Sequence, residues 1–281
     1  MDNSDSFKRP SDGRLPRNRK EVFLNIMRWR FTYLLAVGLL SLAFLLPDIT
    51  VLTYYDIAAS VISQGGEDVA SKIVTLRLQT SLFQVVSCVV LFFGASGVFY
   101  LFRQLAWDEP TPIFSGWRKG VKQNWKHYTF FGVCVGILTV LNTFAEVLLH
   151  GFVKYVPRAL FVLIVVPVLL YAAILDVVYS KKIGNLLSSA ATLYFKTLPI
   201  TLLFALLVVI APSLLLFVPK FTIRYAILAV WVVVAVPIVL LGWTLYAMDK
   251  LDKFINKEHY PEIYNKGIYV DNASGVEVTE G

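Results

Sequence analysis

Long apolar runs separated by short polar segments are the feature that most constrains what this chain can fold into. A helix needs about 20 apolar residues to cross the hydrocarbon core of a bilayer. Runs close to that length or longer lie at about residues 31–47, 78–102, 128–150, 159–179, 198–218 and 225–248. Only 16% of the 281 residues are charged, whereas an average soluble domain has about 25%. The sequence therefore predicts an all-α fold, a polytopic membrane helix bundle of about six transmembrane helices.

The distribution of Lys and Arg predicts how this bundle is oriented. If the N-terminus is cytosolic, the predicted cytosolic segments hold twenty basic residues and the opposite loops hold six. Such an excess is the positive-inside bias of membrane proteins. We therefore expect a multi-pass protein of the plasma membrane with both termini in the cytosol. The net charge of +7 is accounted for by this topology, so no nucleic-acid partner is expected.

Composition divides the chain into a membrane domain and two tails. Residues 1–20 are polar and basic, which predicts a disordered cytosolic tail. Residues 21–248 hold the six predicted spans, and residues 249–281 form a predicted cytosolic C-terminal tail. Residues 49–62 are apolar but too short for a crossing. They are interpreted either as an extension beyond the membrane or as a re-entrant segment.

The long polar break from Arg103 to Phe131 predicts an amphipathic helix in the cytosolic membrane interface. Its aromatic residues recur at helical spacing, and its basic residues lie around the other side. Such a helix binds anionic lipid head groups, which are the expected partner. The predicted interfacial anchors are Trp107, Trp117, Arg118, Lys119, Lys122, Trp125 and Lys126. Two further amphipathic stretches, residues 22–29 and 183–194, are also predicted at this interface.

Each amphipathic stretch ends in an aromatic–basic pair that leads directly into a span. The pairs are Trp29-Arg30, Trp125-Lys126 and Phe195-Lys196. One interpretation is a threefold internal repeat of an interfacial helix and a helical hairpin, as found in carrier proteins. The alternative is that any span entered from the cytosol attracts such residues.

Polar residues inside the predicted spans are the candidate functional residues, since they are costly there. Asn142, Glu146 and His150 recur every four residues and form one stripe, while Asp176 lies near the inner end of the fourth span. With Asp56, Glu146 is a candidate for an outward-facing polar cavity that binds a cation, a proton or a polar ligand. The alternative is that Glu146 and His150 are hydrated at the outer interface, and that Asp176 pairs with Lys181 or Lys182.

Enzyme and metal motifs are missing from the sequence. It contains no HExxH, GxSxG, Walker A or GxGxxG pattern, and its three histidines lie in different regions. We therefore expect no catalytic residues, no metal site and no cofactor. The two cysteines, Cys88 and Cys134, lie within apolar runs and are expected to be buried thiols.

Three segments carry a resemblance to a known family: Leu46–Thr50, Gly97–Ala106 and Phe114–Lys126, of which Asn124-Trp125-Lys126 is the most specific part. They resemble the YesL-like integral membrane proteins, which occur mainly in Gram-positive bacteria. The resemblance covers roughly residues 20 to 200. It implies about six spans in the cytoplasmic membrane and an association with carbohydrate uptake, and it supplies no catalytic residues.

The leading functional hypothesis is a non-enzymatic accessory component of membrane transport that contacts permease subunits. One alternative is a self-standing small-molecule transporter that uses the predicted outward-facing cavity. Another is a membrane scaffold or sensor whose cytosolic tails bind partners.

Overall fold

The computed structural model describes residues 16–65, 68–179, 181–214, 218 and 220–268. These residues form eight helical segments and no strand. The segments are α1 (Arg19–Trp29), α2 (Phe31–Ser63), α3 (Val69–Ala106), α4 (Ile113–Leu148), α5 (Gly151–Val178), α6 (Ile183–Lys196), α7 (Leu198–Leu214) and α8 (Phe221–His259). We call the end of the bundle that holds α1, α6 and the C-terminal part of α8 the inner end, which is the predicted cytosolic end. The opposite end is the outer end.

Five of these segments, α2, α3, α4, α5 and α8, are long and apolar enough to cross a membrane. A sixth crossing results if α6 and α7 count as one span, although a bend of 104° separates them. The described part of the chain is therefore a polytopic all-α bundle, as the sequence predicts. The fifth apolar run, residues 198–218, is the exception, because α7 is long and apolar enough for a span only together with α6.

Helices α2, α3 and α4 are much longer than a bilayer core requires. They contain 33, 38 and 36 residues, which corresponds to about 50–57 Å of helix against a core of about 30 Å. Residues 49–62 belong to α2 without a break, with Pro47 inside the helix. The segment therefore extends α2 as a helix. The alternative prediction, a re-entrant segment, is wrong because the helix does not turn back.

The predicted interfacial helix between residues 103 and 131 does not exist as a separate element. Helix α3 ends at Ala106, a short loop follows, and residues Ile113–Leu148 form α4. Glycines bring the two long helices together: a Cβ on Gly132 would lie 2.8 Å from the Val89 Cα, and one on Gly136 would lie 2.7 Å from the Val85 Cα. In the polar part of α4, a Cβ on Gly120 would lie 2.4 Å from the Tyr100 Cβ, so this part also packs closely on α3 and does not turn along the membrane.

Two spans carry a proline just after a π-helical turn, and in each a neighbouring helix covers the carbonyl that the proline leaves without a helical donor. Pro167 and Pro237 follow wide π-helical turns at Phe161–Val165 and Trp231–Ala235. The Tyr194 hydroxyl on α6 donates to the Leu163 carbonyl at 2.6 Å. On the other side of the bundle, Gly38 lies so close to the Val233 carbonyl that a Cβ would be 2.1 Å from its oxygen. Both carbonyls lie four residues before their proline, where helical hydrogen bonding is lost.

The predicted repeat has a structural counterpart at two of its three positions. Arg30 separates α1 from α2, with φ −127° and ψ 25°, and Thr197 separates α6 from α7, with φ −127° and ψ 22°. At Lys126, the third position, α4 continues as a helix. The first and last units therefore share a bent junction that the middle unit lacks.

The two predicted amphipathic helices outside α4 pack against the bundle at its inner end. Val22 and Ile26 of α1 are buried against α3 and α8, and Leu186 and Ala190 of α6 are buried against α5. Trp243 of α8 lies at the centre of this core. Its indole N–H donates to the Leu170 carbonyl at 3.0 Å.

Candidate functional site

Glu146 lies near the outer end of α4 and joins three helices. Its carboxylate accepts from Arg158 of α5 at 3.0 Å and also pairs with Arg77 of α3. Neither Asn142 nor His150 hydrogen-bonds this carboxylate in the described part of the chain; Asn142 is half-buried and His150 is exposed beyond the end of α4. The predicted stripe is thus one ion-paired carboxylate with two side chains that do not join it.

Asp56 forms a second ion-pair cluster, between α2 and α8. Its carboxylate accepts from the Arg224 guanidinium at 2.8 Å and from the Tyr225 hydroxyl at 2.9 Å. The partners of Asp56 and Glu146 are on different helices, so each carboxylate crosslinks its own part of the outer end. Such pairs hold neighbouring helices together. Both carboxylates therefore have a structural role that does not require a ligand.

Asp176 forms a partly buried pair with His127. Its Oδ1 lies 2.6 Å from His127 Nδ1 on α4, and only 3% of the Asp176 side chain is exposed, against 33% for His127. The Asp176 Oδ2 atom is buried and has no hydrogen-bond partner among the described residues. A carboxylate and an imidazole in contact can exchange a proton with solvent through the exposed side of the imidazole.

The sequence interpretation of both partners of this pair needs correction. Asp176 does not pair with Lys181 or Lys182; the Lys181 ammonium lies over the rings of Tyr179 and Tyr260, at 4.8 and 5.8 Å. His127 is one of three histidines in different regions of the sequence, and nothing there marks it as a partner of Asp176. The two residues are 49 positions apart, and no local spacing could have joined them.

At the inner end, Arg19 connects three parts of the chain that are distant in sequence. Its guanidinium donates to the Asp252 carboxylate at 2.8 Å and to the carbonyls of Ala106 and Lys266, both at 3.0 Å. Asp252 also accepts from the Asn256 amide at 2.7 Å. The Arg19 and Asp252 side chains are only 7% and 8% exposed. This cluster ties α1, the end of α3 and the C-terminal segment together.

Tyr179 extends the same cluster toward α5. Its hydroxyl donates to the Asn256 side-chain carbonyl. Burial raises the pKa of this phenol, and the nearby Asp252 carboxylate raises it further. The hydroxyl therefore remains protonated and can donate at neutral pH.

Folded residues extend into both segments that composition indicates as tails. Arg19 begins α1, so the folded part starts within the predicted disordered segment 1–20. At the other end, α8 continues through residue 248 to His259, and residues up to 268 fold back on the loop after α3. Residues 1–15 and 269–281 lie outside the described residues.

Four of the predicted interfacial anchors form an exposed basic surface on α4. Arg118, Lys119, Lys122 and Lys126 are all exposed, and residues 113–145 contain no acidic residue. In the described part of the chain, none of the four forms an ion pair. We call these four residues the basic face. It has the charge and exposure expected of a surface that meets anionic groups.

The three tryptophans among the predicted anchors have different environments. Trp125 is 43% exposed beside the basic face. Trp117 is turned into the bundle, where its indole N–H donates to the Gly94 carbonyl at 3.0 Å and its ring stacks on Phe44. Trp107 lies between two cations, Arg103 at 4.6 Å and Lys266 at 4.4 Å from its ring centroid. Of the three, Trp125 alone has the exposure expected of a membrane anchor.

The described residues contain no candidate metal-binding site. Among those residues, no three His, Cys, Asp or Glu side chains lie close enough together to hold a metal ion. Cys88 and Cys134 are free thiols that are half-buried.

Comparisons with protein-family models, with curated proteins and with solved structures found no match. The apolar helices make the chain a multi-pass integral membrane protein.

Proposed function

We propose that this protein is a non-enzymatic accessory component of membrane transport that contacts a permease subunit through its inner end. The observation that carries the proposal is the contrast within that end. The Arg19 cluster fixes α1, α3 and the C-terminal segment as one unit, while the basic face stays exposed without acidic partners among the described residues. A rigid platform with a free charged surface is suited to binding another protein.

The outer end favours this function over a self-standing transporter. Both carboxylates expected to line a polar cavity, Asp56 and Glu146, already have cationic partners. A carboxylate that must bind and release a cation would have to break these ion pairs in each cycle, which makes a structural role the simpler account.

The cellular setting of this proposal comes from the sequence. The excess of basic residues on one side favours cytosolic termini, and we assign the bundle to the plasma membrane as part of the proposal. The resemblance to YesL-like proteins of Gram-positive bacteria points to carbohydrate uptake, so the expected partners are permease subunits of a sugar uptake system.

Two measurements with the full chain test the proposal. After mild cross-linking in the membranes of its own cells, the tagged chain should co-purify with permease subunits. The charge-reversed variant Arg118→Glu/Lys119→Glu should lose most of that material, because the face would then repel acidic groups. Lys154→Glu/Lys220→Glu, which reverses two charges at the outer end, is the matched control and should retain it.

Reconstitution of the purified chain into lipid vesicles tests the alternative function, a self-standing transporter. Sugar flux into vesicles that contain this chain alone, and loss of that flux in Glu146→Gln, would contradict the accessory function and support the transporter.

A further inference from the structure

The described residues contain an apolar crevice in the side of the bundle, between α4, α5 and α6. Its volume is about 240 Å³. It is lined by Phe130 and Cys134 of α4, Ile164, Val165 and Val168 of α5, and Leu187 of α6. No polar surface lines it, so water gains nothing by filling it, and an apolar occupant is favoured.

The crevice lies directly beside the basic face. Lys126 precedes Phe130 by four residues and Phe130 precedes Cys134 by four, so the three side chains lie along one side of α4. Lys122 lies one further turn toward the inner end. Both lysines are exposed, and neither has an acidic partner in the described part of the chain. The apolar crevice therefore lies beside the ammonium groups of Lys122 and Lys126 on α4.

The depth of this arrangement matches the inner leaflet of a bilayer. At the inner end of the crevice, His127 contacts Asp176, two residues before the end of α5. The basic residues thus lie near the level where α5 ends, at head-group depth, and the crevice lies just below them among the apolar residues of the spans. Long lysine side chains reach the head groups from such positions while their methylene groups cover apolar surface.

We propose that the crevice and the basic face form a binding site for one anionic diacyl phospholipid of the inner leaflet. An acyl chain occupies the space between α4 and α5, and the ammonium groups of Lys122 and Lys126 bind the phosphate. Charge complementarity selects this occupant, because an uncharged lipid or an apolar helix of a partner would leave both ammonium groups unused. The site shares the basic face with the proposed permease contact, but the two are tested at different residues: Lys122 and Lys126 for the lipid, and Arg118 and Lys119 for the permease.

Native mass spectrometry of the purified full chain tests the site. The chain is titrated in neutral detergent with phosphatidylglycerol or phosphatidylcholine that carry the same acyl chains. The wild type should bind the first phosphatidylglycerol at least fivefold more tightly than phosphatidylcholine. Lys122→Gln/Lys126→Gln should lower phosphatidylglycerol binding to the phosphatidylcholine level. Val168→Trp, which fills the crevice, should weaken binding of both lipids.

A control variant at the outer end and the exposed positions of Lys122 and Lys126 make each result interpretable. Lys154→Gln/Lys220→Gln removes the same charge at the outer end and should leave the preference unchanged. The lysine variants change exposed side chains and should fold, so the head-group part of the proposal is tested even if Val168→Trp does not fold. Equal binding of the two lipids by the wild type, or an unchanged preference in Lys122→Gln/Lys126→Gln, would overturn the site. A folded Val168→Trp variant that binds both lipids as tightly as the wild type would show that no acyl chain occupies the crevice.

Discussion

The inner and outer ends of this bundle both hold charged pairs, but they bury them to very different extents. At the inner end, Arg19 and Asp252 are at most 8% exposed and share several hydrogen bonds. At the outer end, the partners of Glu146, Arg77 and Arg158, are 43% and 54% exposed. Water and salt screen the two arginine partners of Glu146 and reach the Arg19–Asp252 pair very little, while the Asp56–Arg224 pair at the outer end, 23% and 18% exposed, is intermediate.

This difference indicates where the chain keeps a fixed shape. Breaking a buried ion pair leaves an uncompensated charge and costs several kcal/mol, whereas an exposed pair contributes about 1 kcal/mol or less. The inner end is therefore expected to unfold as one unit with the bundle. The outer end can lose a single contact with little consequence.

The largest effect is expected for Arg19→Ala. It leaves the Asp252 carboxylate buried without its cation, and the expected loss of stability is about 3–5 kcal/mol. Thermal unfolding in detergent measures it. Lys20→Ala removes the same charge from an exposed neighbouring position and should change the midpoint very little. Equal midpoints for the two variants would refute the buried cluster.

The next largest effect is expected for Gly38→Ala, which tests the contact between α2 and α8. The new Cβ would lie 2.1 Å from the Val233 carbonyl oxygen, so one helix must move. Overpacking of this kind costs about 1–3 kcal/mol. Gly184→Ala on α6 is the matched control, because its Cβ would meet no atom within 4 Å. Alanine there should raise the unfolding midpoint slightly, since it favours the helix.

A smaller loss is expected for His127→Ala, of about 1–2 kcal/mol. The change leaves the buried Asp176 carboxyl without its hydrogen-bonding partner. His150→Ala, at an exposed position outside α4, should unfold at the wild-type temperature. If His150→Ala proves the more destabilising of the two, the assignment of His127 as the partner of Asp176 is wrong.

The smallest effect is expected for Glu146→Gln at the outer end. Its two exposed arginine partners keep their contact with water, so the loss should stay within about 1 kcal/mol and shrink further in high salt. Unfolding at two salt concentrations provides the measurement. A loss as large as that of Arg19→Ala would remove the distinction between the two ends.

The sequence predicts the architecture well because hydropathy acts locally. Apolar runs must become helices in a bilayer, and the apolar faces of residues 22–29 and 183–194 must find a surface to cover. The buried Ile26 and Leu186 confirm those faces. The sequence also identifies Asp56, Glu146 and Asp176 as costly residues that need a partner.

The partners themselves depend on packing, which one sequence does not encode locally. Nothing near Asp176 indicates His127, and nothing in a polar tail marks Arg19 as a buried residue. The same holds for α4: its polar first turns predict an interfacial helix, but glycine contacts with α3 make it part of one continuous helix. Likewise, Trp117 has the composition of a membrane anchor, and its position against Gly94 and Phe44 makes it a packing residue.

Site-specific photo-cross-linking tests the proposed role of the inner end most directly. A photoreactive residue replaces either Lys119 on the basic face or Lys154 at the outer end, in the full chain and in its own cells. We expect position 119 to cross-link to a permease subunit and position 154 not to. Cross-links to that subunit from position 154 alone would contradict it.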